Sequence, residues 1–266
     1  MRCKSLQICA CAKRINSHES LQVTERQCFN MSKCVAIVLA AGSGRRMCSD
    51  VPKQYMLLAG KPLLYYSLKT IEDSCIDEII LVTAGKDIDY CQNEIVNKYG
   101  LKKVTAVVAG GAERYHSVWN GICQIDQCDY LFIHDGARPF LTGDMIDRIS
   151  KCVIEYDACV AAMPVKDTIK QVNEEMEVIA TPRRDRLYQI QTPQAFRYEI
   201  IRQAYQKLID NEEEIKAKGI IITDDSMVVE TILSHKVRIV EGSYDNIKIT
   251  TPEDILTAES LIKNFL

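Results

Sequence analysis

Short apolar runs alternate with longer amphipathic segments along most of the chain, starting at Cys34. The apolar runs are continuous and rich in β-branched residues, which is typical of strands buried on both faces of a parallel sheet. Strands are therefore predicted at residues 34–40, 78–84, 104–109, 130–135 and 158–165. Apolar residues at helical spacing predict helices between them, at residues 62–73, 88–100, 112–125 and 145–156. This alternation predicts an α/β fold with a doubly wound, mostly parallel, Rossmann-like sheet.

The alternation stops at residues 166–191, where short alternating stretches replace the long helical periods. This pattern is typical of a β-hairpin, and it predicts an arm that projects from the sheet. Helices are predicted again at 198–211 and 226–233, and a strand at 236–242. The last helix is predicted to begin after Thr251, whose side chain can cap it.

The first 30 residues differ from the rest of the chain. They do not continue the strand–helix pattern, and they lack the apolar segment of a secretory signal. We expect residues 1–30 to form a disordered N-terminal extension. No linker divides the remaining sequence, so residues 31–266 are predicted to form a single domain, with the arm as part of it.

Composition narrows the classes of protein to which the chain can belong. With 33 Lys and Arg against 36 Asp and Glu, the net charge is −3. That balance excludes a nucleic-acid binder held by a broad basic surface. No apolar run approaches the roughly 18–20 residues that cross a bilayer, so no membrane partner is expected. The twelve cysteines include no CxxC pair, which favours reduced thiols in a cytoplasmic protein over a disulfide framework or a zinc site.

The first predicted strand leads directly into a glycine-rich loop, AAGSG at residues 40–44, followed by Arg45 and Arg46. Glycines let backbone N–H groups approach phosphate closely, and arginine can bind two phosphate oxygens at once. A dinucleotide-binding loop would carry a third glycine where this chain has Met47. The paired arginines and nearby Lys53 favour a polyphosphate site instead, with an NAD-binding oxidoreductase as a distant alternative.

Three further segments follow in order: LAGKPLL at 58–64, GGAERYHSV at 110–118 and HDGARP at 134–139. Together with the glycine-rich loop they resemble the family of cytidylyltransferases that make 4-diphosphocytidyl-2-C-methyl-D-erythritol. The resemblance covers residues 34–264. It implies transfer of CMP from CTP to 2-C-methyl-D-erythritol 4-phosphate, with release of pyrophosphate, in the non-mevalonate route to isoprenoids. It also implies Mg²⁺ or another divalent cation as cofactor, and a cytoplasmic homodimer formed through the arm.

The same resemblance assigns roles to individual residues. The residues expected to bind the nucleotide are Ala40, Ala41, Gly42, Ser43, Gly44, Arg45, Gly110, Gly111, Arg114 and Ser117. The residues expected to act on the reacting phosphates are Arg46, Lys53, Arg184 and Lys248. The residues expected to contact the polyol phosphate are Asp135, Arg138, Thr192 and Thr223. Asp135 is also the candidate ligand of the metal, either directly or through water.

Two points stay open at the level of sequence. A cytidylyltransferase for ribitol 5-phosphate shares most of these motifs and would differ only in the acceptor pocket, around Arg184, Thr192 and Thr223. The arm also contains three arginines within four positions, Arg183, Arg184 and Arg186. Arg184 is the best match for the residue that binds the acceptor's phosphate, but its register is open by one position.

Overall fold

The computed structural model describes residues 32–42 and 51–265, which belong to one compact unit. Its strands are β1 (Cys34–Ala40), β2 (Leu57–Leu58), β3 (Lys61–Pro62), β4 (Glu78–Thr83), β5 (Val104–Ala109), β6 (Tyr130–Asp135), β7 (Ala158–Pro164), β8 (Gln171–Val172), β9 (Val178–Ala180), β10 (Tyr188–Arg197) and β11 (Arg238–Glu241).

The helices pack around these strands. They are α1 (Leu63–Glu72), α2 (Ile88–Tyr90, continued by a π-helical segment Cys91–Asn97), α3 (Arg114–Ile122), α4 (Gly143–Tyr156), α5 (Tyr198–Asp210), α6 (Glu212–Ala217), α7 (Asp225–Leu233) and α8 (Pro252–Leu261). Single 3₁₀ turns lie at Lys53–Tyr55, Gly85–Asp87, Arg184–Arg186 and Ile262–Asn264. None of the helices in the described part of the chain is long and apolar enough to span a bilayer.

A seven-stranded sheet forms the centre of the fold, in the order β11-β7-β10-β6-β1-β4-β5. Strand β10 is antiparallel to both of its neighbours, and every other neighbouring pair is parallel. Strands lie on both sides of β1, as they do in doubly wound sheets, and β10 is inserted between β6 and β7. The prediction of a doubly wound, mostly parallel α/β sheet is therefore confirmed.

Both faces of the sheet are covered at β1. Successive side chains of a strand point to opposite faces, so Val35 and Ile37 pack together with residues of α3, α5 and α7. Ala36 and Val38, on the other face, are equally buried. The carboxyl ends of β1, β4 and β6 meet at one edge of the sheet, which is where open α/β sheets bind ligands.

The last four residues of the segment predicted as an arm, 188–191, instead begin the interior strand β10. Three polar residues, Gln191, Thr192 and Gln194, interrupt the apolar pattern of this strand and conceal it in the sequence. In the fold their side chains are buried and hydrogen-bonded. The register shifts between Ile190 and Gln194, so the proline between them, which has no N–H to donate, lies at an irregularity.

The rest of the segment contains β8 and β9, which form a separate two-stranded sheet. The other predicted elements are present, with ends that differ by a few residues. The helix predicted at 112–125 runs from Arg114 to Ile122, and the strand predicted at 236–242 is shortened to β11. Helix α6 and the β2–β3 hairpin were not predicted.

Candidate functional site

Two adjoining cavities lie at the edge where β1 and β6 end. The large cavity, about 500 Å³, has a lining that includes Ala40, Ala41, Gly42, Lys53, Gly111, Arg114, Ser117, Asp135 and Lys248. The small cavity, about 280 Å³, has a lining that includes Arg114, Asp135, Arg138, Thr192, Thr223 and Lys248. Arg114, Asp135 and Lys248 belong to both. These three side chains form the boundary at which ligands in the two cavities would meet.

One side of the large cavity depends on two adjacent glycines. A Cβ atom on Gly110 would lie 2.5 Å from the Cβ of Ala41 and 2.7 Å from the Oγ of Ser117. A Cβ atom on Gly111 would lie 2.3 Å from the Cβ of His116. The backbone N–H of Gly111 donates to the Ser117 hydroxyl oxygen at 3.1 Å. Glycine at both positions is therefore a packing requirement of the loop.

Another part of the lining of the large cavity is Lys53. This residue begins a single 3₁₀ turn, and its Nζ donates to the backbone carbonyl of Ile249 at 2.9 Å. The next side chain, Gln54, is buried and donates to the carbonyl of Ala40 at 2.7 Å. The ammonium group is thus held between the end of β1 and the segment that contains Lys248.

An alternating chain of charges crosses the boundary between the cavities. Both terminal nitrogens of Arg114 donate to the Asp225 carboxylate at 2.7 Å, and one of them lies 3.4 Å from Asp135. The other oxygen of Asp135 is 2.7 Å from Lys248 Nζ. Asp225 is fully buried and also accepts a hydrogen bond from the Tyr205 hydroxyl at 2.5 Å. Opposite charges alternate along the chain, which keeps every buried charge paired.

This arrangement keeps the groups at the boundary ionised. Burial alone would raise the pKa of Asp135, but Arg114 and Lys248 outweigh it and hold that pKa well below its usual range. Burial would lower the pKa of Arg114, but Asp225 and Asp135 outweigh it in turn and raise that pKa. Asp135 therefore offers a permanent negative charge between two cations at neutral pH.

Thr192 and His134 hold the backbone of Asp135 in place. The Thr192 hydroxyl oxygen accepts from the Asp135 N–H at 3.0 Å, so its own proton is available for His134 Nδ1, also at 3.0 Å. The other ring nitrogen, Nε2, then carries the proton and donates to the Arg138 carbonyl at 3.3 Å. Because the ring is fully buried, the pKa of His134 is lowered to about 4, and the imidazole is neutral at pH 7.

This histidine should make the stability of the fold depend on pH. The unfolded chain, with a histidine pKa near 6.5, takes up the proton before the folded chain does as the pH falls. Folding stability contributed by neutral His134 is therefore present above about pH 6.5 and is lost toward about pH 4. In urea unfolding, the unmodified chain should lose about 2 kcal/mol more than His134→Gln between about pH 7 and pH 4.5. Equal losses in the two proteins would contradict this account.

Residues 246–250 connect the parts of the site. The backbone carbonyl of Asn246 accepts from Arg138 Nη1 at 2.7 Å, and the N–H of Ile249 donates to the carbonyl of Ala137 at 2.9 Å. The carbonyl of Ile249 is the one that holds Lys53. Within the same segment, Lys248 contacts Asp135. One extended segment near the end of the chain thus orients cations contributed by distant parts of the sequence.

Several residues that build the site were not predicted as site residues. They are Asp225, Asn246, Gln191 and Gln54. Asp225 and Asn246 each lie two residues from a predicted site residue, Thr223 and Lys248, but nothing in the sequence there distinguishes a buried polar anchor from a solvent-exposed residue. The usable signal is a polar residue at a position where the neighbouring residues are predicted to be buried.

The structure does not bring every predicted residue to the cavities. Arg184 donates to the Lys166 carbonyl at 2.9 Å and does not line either of the two cavities. Thr223 is exposed at the rim of the small cavity, with its hydroxyl 3.6 Å from the sulfur of Met227. Arg183 forms an exposed ion pair with Asp185. The predicted residues Ser43, Gly44, Arg45 and Arg46 lie outside the described residues.

The donor atoms suit a metal that is held mainly by a ligand. The described residues contain no cluster of three or more His, Cys, Asp or Glu side chains that could bind a metal ion. Asp135 presents its carboxylate at the boundary of the cavities, and each of its oxygens keeps a lone pair beyond its present contact. Mg²⁺ keeps several waters and commonly binds through one or two carboxylates plus phosphate oxygens. The residues present therefore fit Mg²⁺ bound chiefly by a phosphate ligand.

Comparison with known proteins identifies similar chains over almost the whole described region. A profile of the family 2-C-methyl-D-erythritol 4-phosphate cytidylyltransferase matches residues 34–264. The protein of that name from Lachnoclostridium phytofermentans is 47% identical over 233 residues, covering 88% of this chain and 97% of its own. That from Lachnospira eligens is 50% identical over 229 residues, covering 86% and 98%.

Solved structures agree with this match. The crystal structure of 4-diphosphocytidyl-2C-methyl-D-erythritol synthase from Anaerococcus prevotii superimposes with a TM-score of 0.75 at 35% identity, covering 87% of this chain and 96% of that one. The 2-C-methyl-D-erythritol 4-phosphate cytidylyltransferase of Francisella tularensis has a TM-score of 0.70 at 30% identity, covering 86% and 99%.

Proposed function

This chain belongs to the 2-C-methyl-D-erythritol 4-phosphate cytidylyltransferase family, and we propose that its large and small cavities are the CTP site and the acceptor site of that family's reaction. The reaction joins CTP and 2-C-methyl-D-erythritol 4-phosphate to give 4-diphosphocytidyl-2-C-methyl-D-erythritol and pyrophosphate. The observation that carries the assignment of the cavities is their common boundary, where Lys248 and Asp135 stand 2.7 Å apart. A phosphate in the small cavity would face the innermost phosphorus of a nucleotide in the large one.

The reaction proceeds by displacement at that phosphorus. An oxygen of the acceptor's phosphate attacks, and pyrophosphate leaves on the opposite side. The acceptor's phosphate is already a nucleophile, so the protein has to align the two substrates and stabilise the charge that develops. We assign the stabilisation to Lys53 and Lys248, together with Arg46. Arg138, whose Nη1 is held by the carbonyl of Asn246, is assigned to the acceptor's phosphate.

The cytosine of CTP is assigned to the side built by residues 110–117. Gly111 lines the large cavity there and has no side chain, so a base can lie directly against its backbone. Arg114 and Ser117 line the same side of the cavity. The triphosphate then extends past Ala40, Ala41 and Gly42, at the end of β1, toward Lys53. Thr192 and Thr223 border the acceptor in the small cavity.

Magnesium would be held by the phosphates of CTP and by Asp135, directly or through water, and would neutralise charge on the triphosphate. A cytoplasmic location is proposed because the described cysteines, Cys34 and Cys159 among them, are thiols.

The arm is proposed as the contact between two copies of the chain. Met176, Val178 and Ile179 of its hairpin are each more than half exposed, which is an unusual surface for a short two-stranded sheet in water. Arg184 lies on the same arm and does not line the cavities of its own chain. In a homodimer this arginine would reach the acceptor site of the other copy and bind the phosphate there.

An acceptor assay tests the proposed function. Pyrophosphate release from CTP should be on the order of 10²-fold faster with 2-C-methyl-D-erythritol 4-phosphate than with ribitol 5-phosphate at equal concentration. Removal of divalent cations by a chelator should abolish release, and Mg²⁺ should restore it. Faster release with ribitol 5-phosphate would instead identify ribitol 5-phosphate as the acceptor.

The same preparation should sediment at twice the mass of one chain, and sedimentation at the mass of one chain would contradict the dimer.

A further inference from the structure

The side chain of Tyr55 lies beneath the turn that carries Lys53, outside the residues that line the two cavities. It is 7% exposed, and its hydroxyl lies 2.7 Å from the Thr83 hydroxyl, 3.1 Å from Cys91 Sγ and 3.4 Å from the carboxylate of Asp87. Burial raises the pKa of this phenol, so it keeps its proton and can donate. Three polar groups from one stretch of the chain, residues 83–91, therefore surround the Tyr55 hydroxyl below the turn.

Tyr55 and Lys53 are parts of one short rigid unit. The N–H of Tyr55 donates to the carbonyl of Pro52 at 2.9 Å, and the N–H of Met56 donates to the carbonyl of Lys53 at 3.1 Å. A turn of three residues has few internal hydrogen bonds, so its orientation depends on what its side chains contact. The buried phenol of Tyr55 fixes one side of this turn, and Gln54 fixes the other through its contact with Ala40.

The hydroxyl that contacts Tyr55 belongs to Thr83, which also holds the glycine pair at the large cavity. Thr83 is the last residue of β4 and is fully buried. Its hydroxyl contacts Tyr55, while its backbone carbonyl accepts from the N–H of Gly110 at 2.8 Å. One strand end thus connects the turn that carries Lys53 with the glycine pair assigned to cytosine. Thr83 therefore contributes to the spacing between Lys53 and the glycine pair.

We propose that Tyr55 and Thr83 are positioning residues, which hold the Lys53 ammonium group at a fixed distance from the bound nucleotide's base. The inference rests on the proposed function, because it gives Lys53 a role at the reacting phosphorus. A displacement of about 1 Å at a catalytic group can cost on the order of 10²-fold in rate. Loss of the hydroxyl contact should therefore act on turnover through Lys53, with little effect on CTP binding.

The test compares two tyrosines that are equally buried and have hydrogen-bonded hydroxyls, one beneath the Lys53 turn and one elsewhere in the fold. Tyr55→Phe should lower kcat about ten- to a hundredfold and leave the KM for CTP within about threefold. Tyr198→Phe is the matched control, because Tyr198 is also 7% exposed and donates its hydroxyl to a backbone carbonyl, that of Ile125, at 2.9 Å. Its kcat should be unchanged. Equal loss of kcat in both variants would mean that Tyr55 contributes only to the general stability of the fold, and it would overturn the proposal.

Variants at the partner extend the test. Thr83→Val removes the hydroxyl and keeps the shape, and it should reproduce the kcat loss of Tyr55→Phe. Thr83→Ser keeps the hydroxyl and should restore most of the rate. Full kcat in Thr83→Val would overturn the proposal.

A double-mutant cycle separates this proposal from the role assigned to Lys53. If Tyr55 acts through Lys53, Tyr55→Phe should lower kcat in the unmodified chain and have no further effect in a Lys53→Ala background. The same fold loss in both backgrounds would overturn the positioning role while leaving Lys53 catalytic. A Lys53→Ala variant with normal kcat would instead reject the assigned chemistry of Lys53, and the positioning role with it.

Discussion

Replacing Lys53 with alanine is expected to lower turnover by about 10²–10⁴-fold, the range seen when one charged stabiliser of an acyl or phosphoryl transition state is lost. The ammonium lies in the large cavity, fixed by the Ile249 carbonyl at 2.9 Å. A cation about 4 Å from a phosphate oxygen is worth about 4 kcal/mol at an effective dielectric near 20. That figure corresponds to roughly a thousandfold in rate, in the middle of the expected range.

Steady-state rates of pyrophosphate release with saturating CTP and acceptor would measure this effect. Lys61→Ala is a suitable control, since it removes the same charge from a lysine whose Nζ lies over the ring of Tyr65 and which does not line either cavity. Arg46→Ala is expected to behave like Lys53→Ala. A purified, folded Lys53→Ala enzyme with near-normal turnover would reject the role of this lysine.

Much of the order of strands and helices could be predicted because four strands of the sheet, β1, β4, β6 and β7, are buried on both faces. Burial on both faces produces a continuous apolar run, such as residues 34–40, and such runs are visible in the sequence. Strand β10 also lies inside the sheet, but it has no such run. It fills its interior positions with Gln191, Thr192 and Gln194, whose polar groups are paired with groups elsewhere in the fold. A buried polar strand has no local signal, because its partners are brought to it by the tertiary structure.

The same distinction separates the predicted and unpredicted parts of the site. Gly110, Gly111 and Lys248 were predicted because they stand in segments that resemble the family, and the structure places Gly111 and Lys248 at the large cavity and Gly110 just behind it. The role of the neighbouring polar residues depends on distance. Asp225 lies 111 residues from Arg114 in the sequence, yet its two carboxylate oxygens accept hydrogen bonds from both terminal nitrogens of Arg114. Such a pair can be recognised only when the fold has brought both residues together.

The second large effect is expected on breaking the ion pair between Arg114 and Asp225. Asp225→Asn should lower the free energy of unfolding by about 3–5 kcal/mol, the usual cost of removing one partner from a buried ion pair. Asp225 is fully buried, and asparagine would leave the Arg114 guanidinium with Asp135 as its remaining carboxylate. Turnover should fall as well, because Arg114 borders both cavities and would no longer be held on its inner side.

A second variant distinguishes the two consequences. The double replacement Arg114→Met and Asp225→Leu removes both charges and fills the space with apolar side chains, which often recovers or exceeds the original stability. Its free energy of unfolding, from urea titration, should return to within about 1–2 kcal/mol of the unmodified chain, while turnover stays low. If the double variant regained turnover together with stability, Arg114 would have no role beyond folding. If Asp225→Asn alone left the unfolding free energy within about 1 kcal/mol, the ion pair would not be holding the site together.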